Sequence, residues 1–140
     1  MVKYWIAVVS KQHVNLGVSG GFCQVCHGKR SPLPKMKCGD WLVYYSPRES
    51  MDIKSKEIKS FTSIGQMADE EIYSFRMSES FVPFRRNVNY VPSTPTPIRP
   101  LLPLLSFTKD RQDKWGMIFR NGLFEISQDD FELIHSKMTS

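Results

Sequence analysis

The sequence has no long apolar run and few cysteines. No stretch approaches the roughly 20 consecutive apolar residues of a membrane-spanning helix, so we expect no membrane partner. The first apolar run, residues 4–9, is too short for the core of a secretory signal, and no small-residue cleavage site follows it. The 3 cysteines are odd in number and lack the spacing of a disulfide framework. We therefore expect reduced thiols and a cytoplasmic protein.

The common catalytic signatures are also missing. The chain has no glycine-rich phosphate loop, no Gly-x-Ser-x-Gly turn and no His-Glu-x-x-His helix. The acidic clusters at 69–71 and 129–130 fit a turn and a helix start better than an acid–base pair. A thiol nucleophile is the alternative that stays open, with Cys26 activated by His13 or His27. We expect a protein that is not an enzyme.

What the sequence does contain is enough for one packed domain over residues 1–140. Its 140 residues are 41% hydrophobic, 12% aromatic and 24% charged, which is ordinary for a globular chain. The net charge of +5 is consistent with a polyanionic partner, although many proteins without one are equally basic.

The hydrophobic pattern predicts an α+β fold. Residues 3–9 form a strand with two apolar faces, which is typical of a strand covered on both sides. Ser10 can cap a short helix near residues 11–16, which Gly17 or Gly20-Gly21 stops. Ser127 with Asp130 forms a capping box for a C-terminal helix. A helical turn is predicted over residues 22–27, and the proline-rich segment 92–103 is predicted to pack on the core as an extended arm. Further strands are predicted at residues 41–45, closed by Pro47, and at 58–67, 85–91 and 122–126.

The string Cys23-Gln-Val-Cys26-His27 has the spacing of a haem attachment site. Covalent haem requires export, which the sequence does not favour, and an axial ligand. A zinc site could combine these residues with Cys38, but a second pair of ligands is missing. We expect the cysteines to pack as small hydrophobic residues, with no haem, no zinc and no other cofactor.

Several segments together resemble an EVE domain of the small, stand-alone prokaryotic type. They are KYWIAVVSK, GGFCQVCHGKRSPL, MKCGDWLVYYSP, FRRNVNYV, LLSFTKDRQDKWGMIFRNGLFEIS and DDFELI. The resemblance implies a PUA-like fold, a small curved β-barrel of five or six strands flanked by short helices and related to YTH and ASCH domains. It also implies binding of DNA or RNA that carries a modified base, such as a modified cytosine or adenine, in an aromatic-lined pocket. Position 23 departs from the expected Met-like residue, and this creates the haem-like string by accident.

We expect the pocket between the first strand–helix junction and the loop 22–28. Gly20 and Gly21 would let the backbone approach a ligand closely, because neither carries a Cβ. Aromatic faces can stack on a base, and polar side chains can read its edge. The predicted ligand-binding residues are Trp5, Ser10, Phe22, Gln24, Cys26, Ser46, Pro47 and Trp115.

Basic residues interleaved with aromatics predict a surface that follows a nucleic-acid backbone. The predicted phosphate contacts are Lys29, Arg30, Arg85, Arg86, Lys109 and Arg120. The alternative is a solvated basic face on a sensor of small molecules or anions that uses the same pocket. The expected partner is a nucleic acid with a modified base, and the expected state is a monomer.

Overall fold

The computed structural model describes all residues from 1 to 140. Two α-helices, α1 (Lys11–Gly20) and α2 (Gln128–Met138), flank a sheet, and short 3₁₀ segments occupy Cys26–Gly28, Leu33–Lys35, Arg99–Leu101 and Trp115–Arg120. The strands are β1 (Tyr4–Val8), β2 (Phe22–Cys23), β3 (Trp41–Arg48), β4 (Glu57–Ser74), β5 (Phe84–Val91), β6 (Thr96–Pro97) and β7 (Leu123–Ile126). None of the helices has the length and apolar character that crossing a membrane requires.

The strands form one mixed sheet in the order β2-β5-β4-β3-β1-β7, and β6 pairs with β4. The β1–β3 pair is parallel and the other pairs are antiparallel. The α+β class is confirmed. The sheet has seven strands instead of five or six, and it is not closed. Its two edge strands, β2 and β7, are only two and four residues long, so their backbones offer few hydrogen bonds for closing a barrel.

The sheet has a hydrophobic core on each face, as predicted for a first strand that is apolar on both sides. In β1, Ile6 lies in one core, while Trp5 and Ala7 lie in the other. Neighbouring β3 alternates in the same way, with Val43 and Leu42 in different cores. This alternation follows from the two-residue side-chain period of a strand.

Two strand predictions need correction. Pro47 does not end β3, which continues to Arg48; the pairing with β4 shifts between Ser46 and Arg48. A proline lacks the N–H that a ladder needs, so an irregular step accommodates it. The strand predicted at residues 58–67 continues to Ser74, and its pairing with β5 breaks register between Met67 and Ile72. Gly65 lies within this strand, paired with Leu42, and a Cβ there would lie 2.4 Å from Val88 Cγ1.

The two helix starts differ. The capping residue of α2 is confirmed, because Ser127 Oγ accepts a hydrogen bond of 3.1 Å from the Asp130 N–H. Helix α1 begins after Ser10 as predicted, but the Ser10 side chain caps nothing. Of the two predicted stops, the second is correct: the helix runs past residue 16 to Gly20, and Gly21 ends it in the left-handed conformation, with φ of 71°.

The proline-rich arm packs on the core, as predicted. It contributes the short strand β6, and its apolar side chains Ile98, Leu101, Leu102 and Leu105 are buried in the same core as Ile6. The helical turn predicted at 22–27 is wrong: Phe22–Cys23 is a strand, and Cys26–Gly28 is a single tight turn whose residues have positive φ values.

Candidate functional site

A cavity of about 690 Å³ opens at the carboxyl ends of the parallel strands β1 and β3. Val8 lies at the end of β1 and Arg48 at the end of β3, and α1 begins beside them. Crevices at the carboxyl ends of parallel strands are common ligand sites, because the chain leaves the sheet there. The volume falls in the range of about 300–1,000 Å³ that is typical of small-molecule sites.

The loop over residues 26–29 forms one wall, in an uncommon backbone conformation. Cys26, His27 and Gly28 have φ values of 49°, 61° and 83°. A left-handed residue other than glycine costs roughly 1–2 kcal/mol. At Gly28 the glycine is also required sterically, since a Cβ would lie 2.5 Å from Pro83 Cβ. Such outliers cluster at functional sites, which makes this loop a candidate.

The cavity is lined by basic side chains, and no aspartate or glutamate lines it. The basic side chains are Lys29, Arg48 and Arg120, and the histidines His13 and His27 accompany them. Arg48 is compensated by Glu57, with a nitrogen–oxygen distance of 3.8 Å. Lys29 and Arg120 are exposed and form no salt bridge. The cavity therefore favours an anionic ligand.

The start of α1 contains unpaired polar groups beside the same cavity, whose wall includes Ser10 and His13. Ser10 is 8% exposed, and its Oγ has no hydrogen-bond partner. The Gln12 N–H donates to the Glu49 carbonyl oxygen at 2.9 Å, but the N–H groups of Lys11 and His13 donate to no acceptor.

Two aromatic rings line the cavity, and sequence reasoning missed both. Phe119 is buried and stacks on Tyr45, with ring centroids 4.0 Å apart. Phe81 is half-buried on the β4–β5 connection and lies against Gly28. No local pattern marks Phe81, because its position depends on how the connection folds back over the loop 26–29. Of the two rings, that of Phe81 is the more exposed.

The structure brings six of the predicted residues to the cavity. Ser10, Gln24, Cys26 and Pro47 from the predicted ligand set line it, and so do Lys29 and Arg120 from the predicted phosphate contacts. Arg30 and Lys109 are exposed but lie outside its wall.

Trp5 and Ser46 do not line the cavity, which corrects the prediction that placed them at its wall. Trp5 is buried under the sheet, where its indole N–H donates to Asp40 Oδ2 at 3.0 Å. Ser46 is also buried, and its hydroxyl is paired with Thr62 Oγ1 at 2.8 Å. Both side chains have their polar groups satisfied within the protein.

The rings of Phe22 and Trp115 also lie outside the cavity wall. The Arg85 guanidinium covers the Phe22 ring at 3.8 Å and the Phe75 ring at 4.1 Å. Gly20 makes room for the Phe22 ring, because a Cβ there would lie 2.6 Å from that ring's Cε1. The Gly20 backbone therefore approaches a side chain of the protein itself, and not a ligand as the sequence predicted. Trp115 packs edge-on against Phe119, with centroids 5.9 Å apart.

Arg86 is a structural residue, which corrects its assignment as a phosphate contact. It is 1% exposed, and its guanidinium donates to the carbonyl oxygens of Leu33 and Met36 at 2.7 Å each. It also donates to the Asp69 carbonyl oxygen. Arg85 is buried as well and donates to Gln24 Oε1 at 3.0 Å.

The cysteines lie in three different environments. Cys23 packs in the core as predicted, and desolvation raises the pKa of its thiol to about 12. Cys26 lines the cavity, and burial raises its pKa as well. Cys38 is exposed. No three histidine, cysteine or acidic side chains are grouped closely enough to hold a metal ion. The absence of haem and zinc stays a prediction.

Comparisons with known proteins agree with this architecture. The EVE domain family profile matches residues 3–137. UPF0310 protein YdcG of Bacillus subtilis strain 168 is 44% identical over 136 residues, covering 97% of this chain and 92% of the relative. A UPF0310 protein of Mycobacterium avium is 46% identical over 135 residues and covers 96% of each chain.

Solved structures at low identity share the fold. The N-terminal domain of Staphylothermus marinus McrB has a TM-score of 0.55 at 14% identity, covering 98% of this chain and 95% of that one. The ASCH protein of Zymomonas mobilis has a TM-score of 0.55 at 12% identity, covering 99% and 97%. The fold is thus similar to that of ASCH and other PUA-like neighbours. With the family profile matching nearly its whole length, the chain belongs to the EVE domain family.

Proposed function

We propose that the protein is a binding module that holds a modified base of DNA or RNA in the cavity at the ends of β1 and β3. One observation carries the proposal: the wall contains the uncompensated side chains of Lys29 and Arg120 and no carboxylate. A cavity of this charge attracts a polyanion, and its volume of about 690 Å³ has room for a nucleotide unit.

Phe81 supplies the aromatic contact in this proposal. The ring is half-buried, and it lies beside the cationic residues of the loop 26–29. Stacking of a base on one aromatic side chain is worth roughly 1–3 kcal/mol. Polar groups of Gln24 and Ser10 lie on the same wall and can bond to the edge or the sugar–phosphate part of the ligand.

We propose binding without catalysis. Cys26, His13 and His27 all line the cavity, but neither imidazole is among the groups that shift the pKa of the Cys26 thiol. Burial raises the Cys26 pKa, so less thiolate is present at neutral pH. A nucleophilic cysteine needs the opposite shift, since the thiolate is the reactive form.

A sensor of small anions is the second candidate, and one observation favours it. Arg85 and Arg86, which were predicted to follow a nucleic-acid backbone, are buried. The cationic surface around the cavity is therefore smaller than the sequence indicates. The two candidates differ in how affinity depends on ligand length. A sensor should bind a mononucleotide as tightly as an oligonucleotide, because it makes no contacts with the flanking nucleotides.

The test measures affinity for oligonucleotides of one sequence that differ only in a single 5-methylcytosine, N6-methyladenine or unmodified base, as DNA and as RNA. We expect one modified form to bind tightest. The logarithm of its affinity should fall linearly with the logarithm of salt concentration, with a slope of about −0.7 per single-strand phosphate neutralised. Arg120→Gln should reduce that slope. Arg111→Gln removes another exposed arginine outside the cavity and should leave it unchanged.

Equal affinity for a mononucleotide and the oligonucleotide, with no dependence on salt, would favour the sensor. Equal affinity for every modified and unmodified oligonucleotide would refute recognition of a modified base.

A further inference from the structure

We propose that the start of α1 is a phosphate subsite of this cavity, formed by the Ser10 hydroxyl and the backbone N–H groups of Lys11 and His13. The inference deepens the proposed function and rests on it, because the phosphate it takes is that of the nucleotide held in the cavity. The flanking cations of the subsite are Lys29 and Arg120, which line the same cavity.

The Ser10 hydroxyl is the first observation behind the subsite. The residue is more than nine-tenths buried and lines the cavity, yet its Oγ has no partner. Buried polar groups in folded proteins are nearly always hydrogen-bonded, so an unpaired hydroxyl at a cavity wall is available to bond to a ligand. Apart from Ser10, the only other buried side-chain polar atom without a partner is Arg86 Nε, which does not line the cavity.

The helix start is the second observation. α1 is ten residues long and has no acidic residue in its first turn, whereas α2 has Asp129 and Asp130 there in addition to its serine cap. The N-terminus of a helix carries a partial positive charge and orphan N–H donors that favour an anion. Among the N–H groups of Lys11, Gln12 and His13, only that of Gln12 has an acceptor, the Glu49 carbonyl oxygen, so the donors of Lys11 and His13 stay available.

The donor set suits a phosphate better than a planar group. One hydroxyl and two N–H groups within residues 10–13 supply three donors, and a phosphate offers three or more acceptor oxygens. No carboxylate competes at the wall, and Lys29 and Arg120 add charge without internal partners.

The test follows the backbone amide resonances of the ¹⁵N-labelled protein while inorganic phosphate replaces chloride at constant ionic strength. We expect saturable shifts of the Lys11 and His13 amides. Ser10→Ala should raise the dissociation constant of phosphate roughly tenfold, since a hydrogen bond to a charged group is lost. Ser127→Ala makes the same change at the start of α2, away from the cavity, and should leave the constant unchanged. Lys29→Gln removes an exposed charge and should weaken phosphate binding without affecting folding.

Shifts that do not saturate, or an unchanged constant in Ser10→Ala, would overturn the subsite. The outcome separates it from the proposed function. If the protein binds oligonucleotides but shows no saturable binding of phosphate, the proposed function stands and the subsite is refuted. If it binds phosphate saturably but binds no oligonucleotide, the subsite stands and the proposed function is refuted. If both bind, the oligonucleotide must displace inorganic phosphate; independent binding of the two would overturn the inference.

Discussion

The two ends of β1 differ in how their polar groups are satisfied. At its start, the Asp40 carboxylate accepts hydrogen bonds from the Trp5 indole and from the N–H groups of Lys3 and Lys37, at 2.9–3.0 Å. At its end, the Ser10 hydroxyl and two helix N–H groups lack partners beside a cavity lined with basic side chains. Both ends contain buried polar atoms, but only at the start of β1 are their hydrogen bonds all made within the protein.

This contrast explains why large aromatic side chains did not identify the ligand-binding residues correctly. Trp5 was predicted to hold a ligand, but its one polar atom is already bonded to Asp40. The sequence predicts Ser10 both as a helix cap and as a ligand residue; its hydroxyl makes no capping bond, and it lines the cavity. Unsatisfied hydrogen-bonding capacity near a cavity separates the site from the scaffold, because a folded chain seldom leaves such groups unpaired without a ligand or water to meet them.

The largest effect is expected at the satisfied end. Asp40→Ala removes the acceptor of three donors, one of them the buried Trp5 indole, and should lower the free energy of unfolding by about 3 kcal/mol. Urea denaturation measures this loss. Asp110→Ala, at an exposed aspartate, is the matched control and should change stability by less than about 0.5 kcal/mol. If Asp40→Ala lowered the free energy of unfolding by as little as Asp110→Ala, the Asp40 carboxylate would not stabilise the start of β1.

The second effect is expected at the cavity and concerns affinity. Phe81→Ala should weaken binding of the preferred oligonucleotide by roughly 1–3 kcal/mol, a factor of about 5–150, because a stacking face is lost. Phe75→Ala removes a ring from the same connection that is 50% exposed and does not line the cavity. It should leave affinity unchanged within error. Fluorescence anisotropy with a labelled oligonucleotide measures both, and melting curves establish that both variants fold. Equal losses for the two would contradict the assignment of Phe81.

The smallest effect compares the two serines that precede helices. Ser127→Ala should cost about 1 kcal/mol of stability, since Ser127 Oγ accepts the Asp130 N–H. Ser10→Ala should change stability by less than about 0.5 kcal/mol in the absence of ligand, because no hydrogen bond is lost. Chemical denaturation of both variants in phosphate-free buffer is the measurement. A Ser10 cost as large as that of Ser127 would show that its hydroxyl caps α1 after all.

What the sequence could predict was local. β1, the start of both helices and the Ser127 cap follow from alternation, capping residues and their immediate neighbours. The packing of the proline-rich arm followed from its leucines. These features depend on residues close together in the chain.

What the sequence could not predict depends on distant pairings. Arg86 is buried because carbonyl oxygens of Leu33, Met36 and Asp69 surround it, and no pattern near residue 86 shows this. Phe22 and Arg85 cover one another because β2 pairs with β5. Phe81 reaches the cavity through its contact with the loop 26–29. Half of the predicted ligand residues, Ser10, Gln24, Cys26 and Pro47, line the cavity because they adjoin the ends of β1, β2 and β3.

The most direct test maps the amide resonances that shift when the ¹⁵N-labelled protein binds its preferred modified oligonucleotide. We expect the shifts to concentrate at the unsatisfied end, in residues 8–13, 26–29 and 119–122. The resonances of residues 3–5 and 37–40 at the satisfied end should stay unchanged. Shifts centred on residues 3–5 and 37–40, or spread evenly over the surface with none at Ser10, Lys11 and His13, would contradict this expectation.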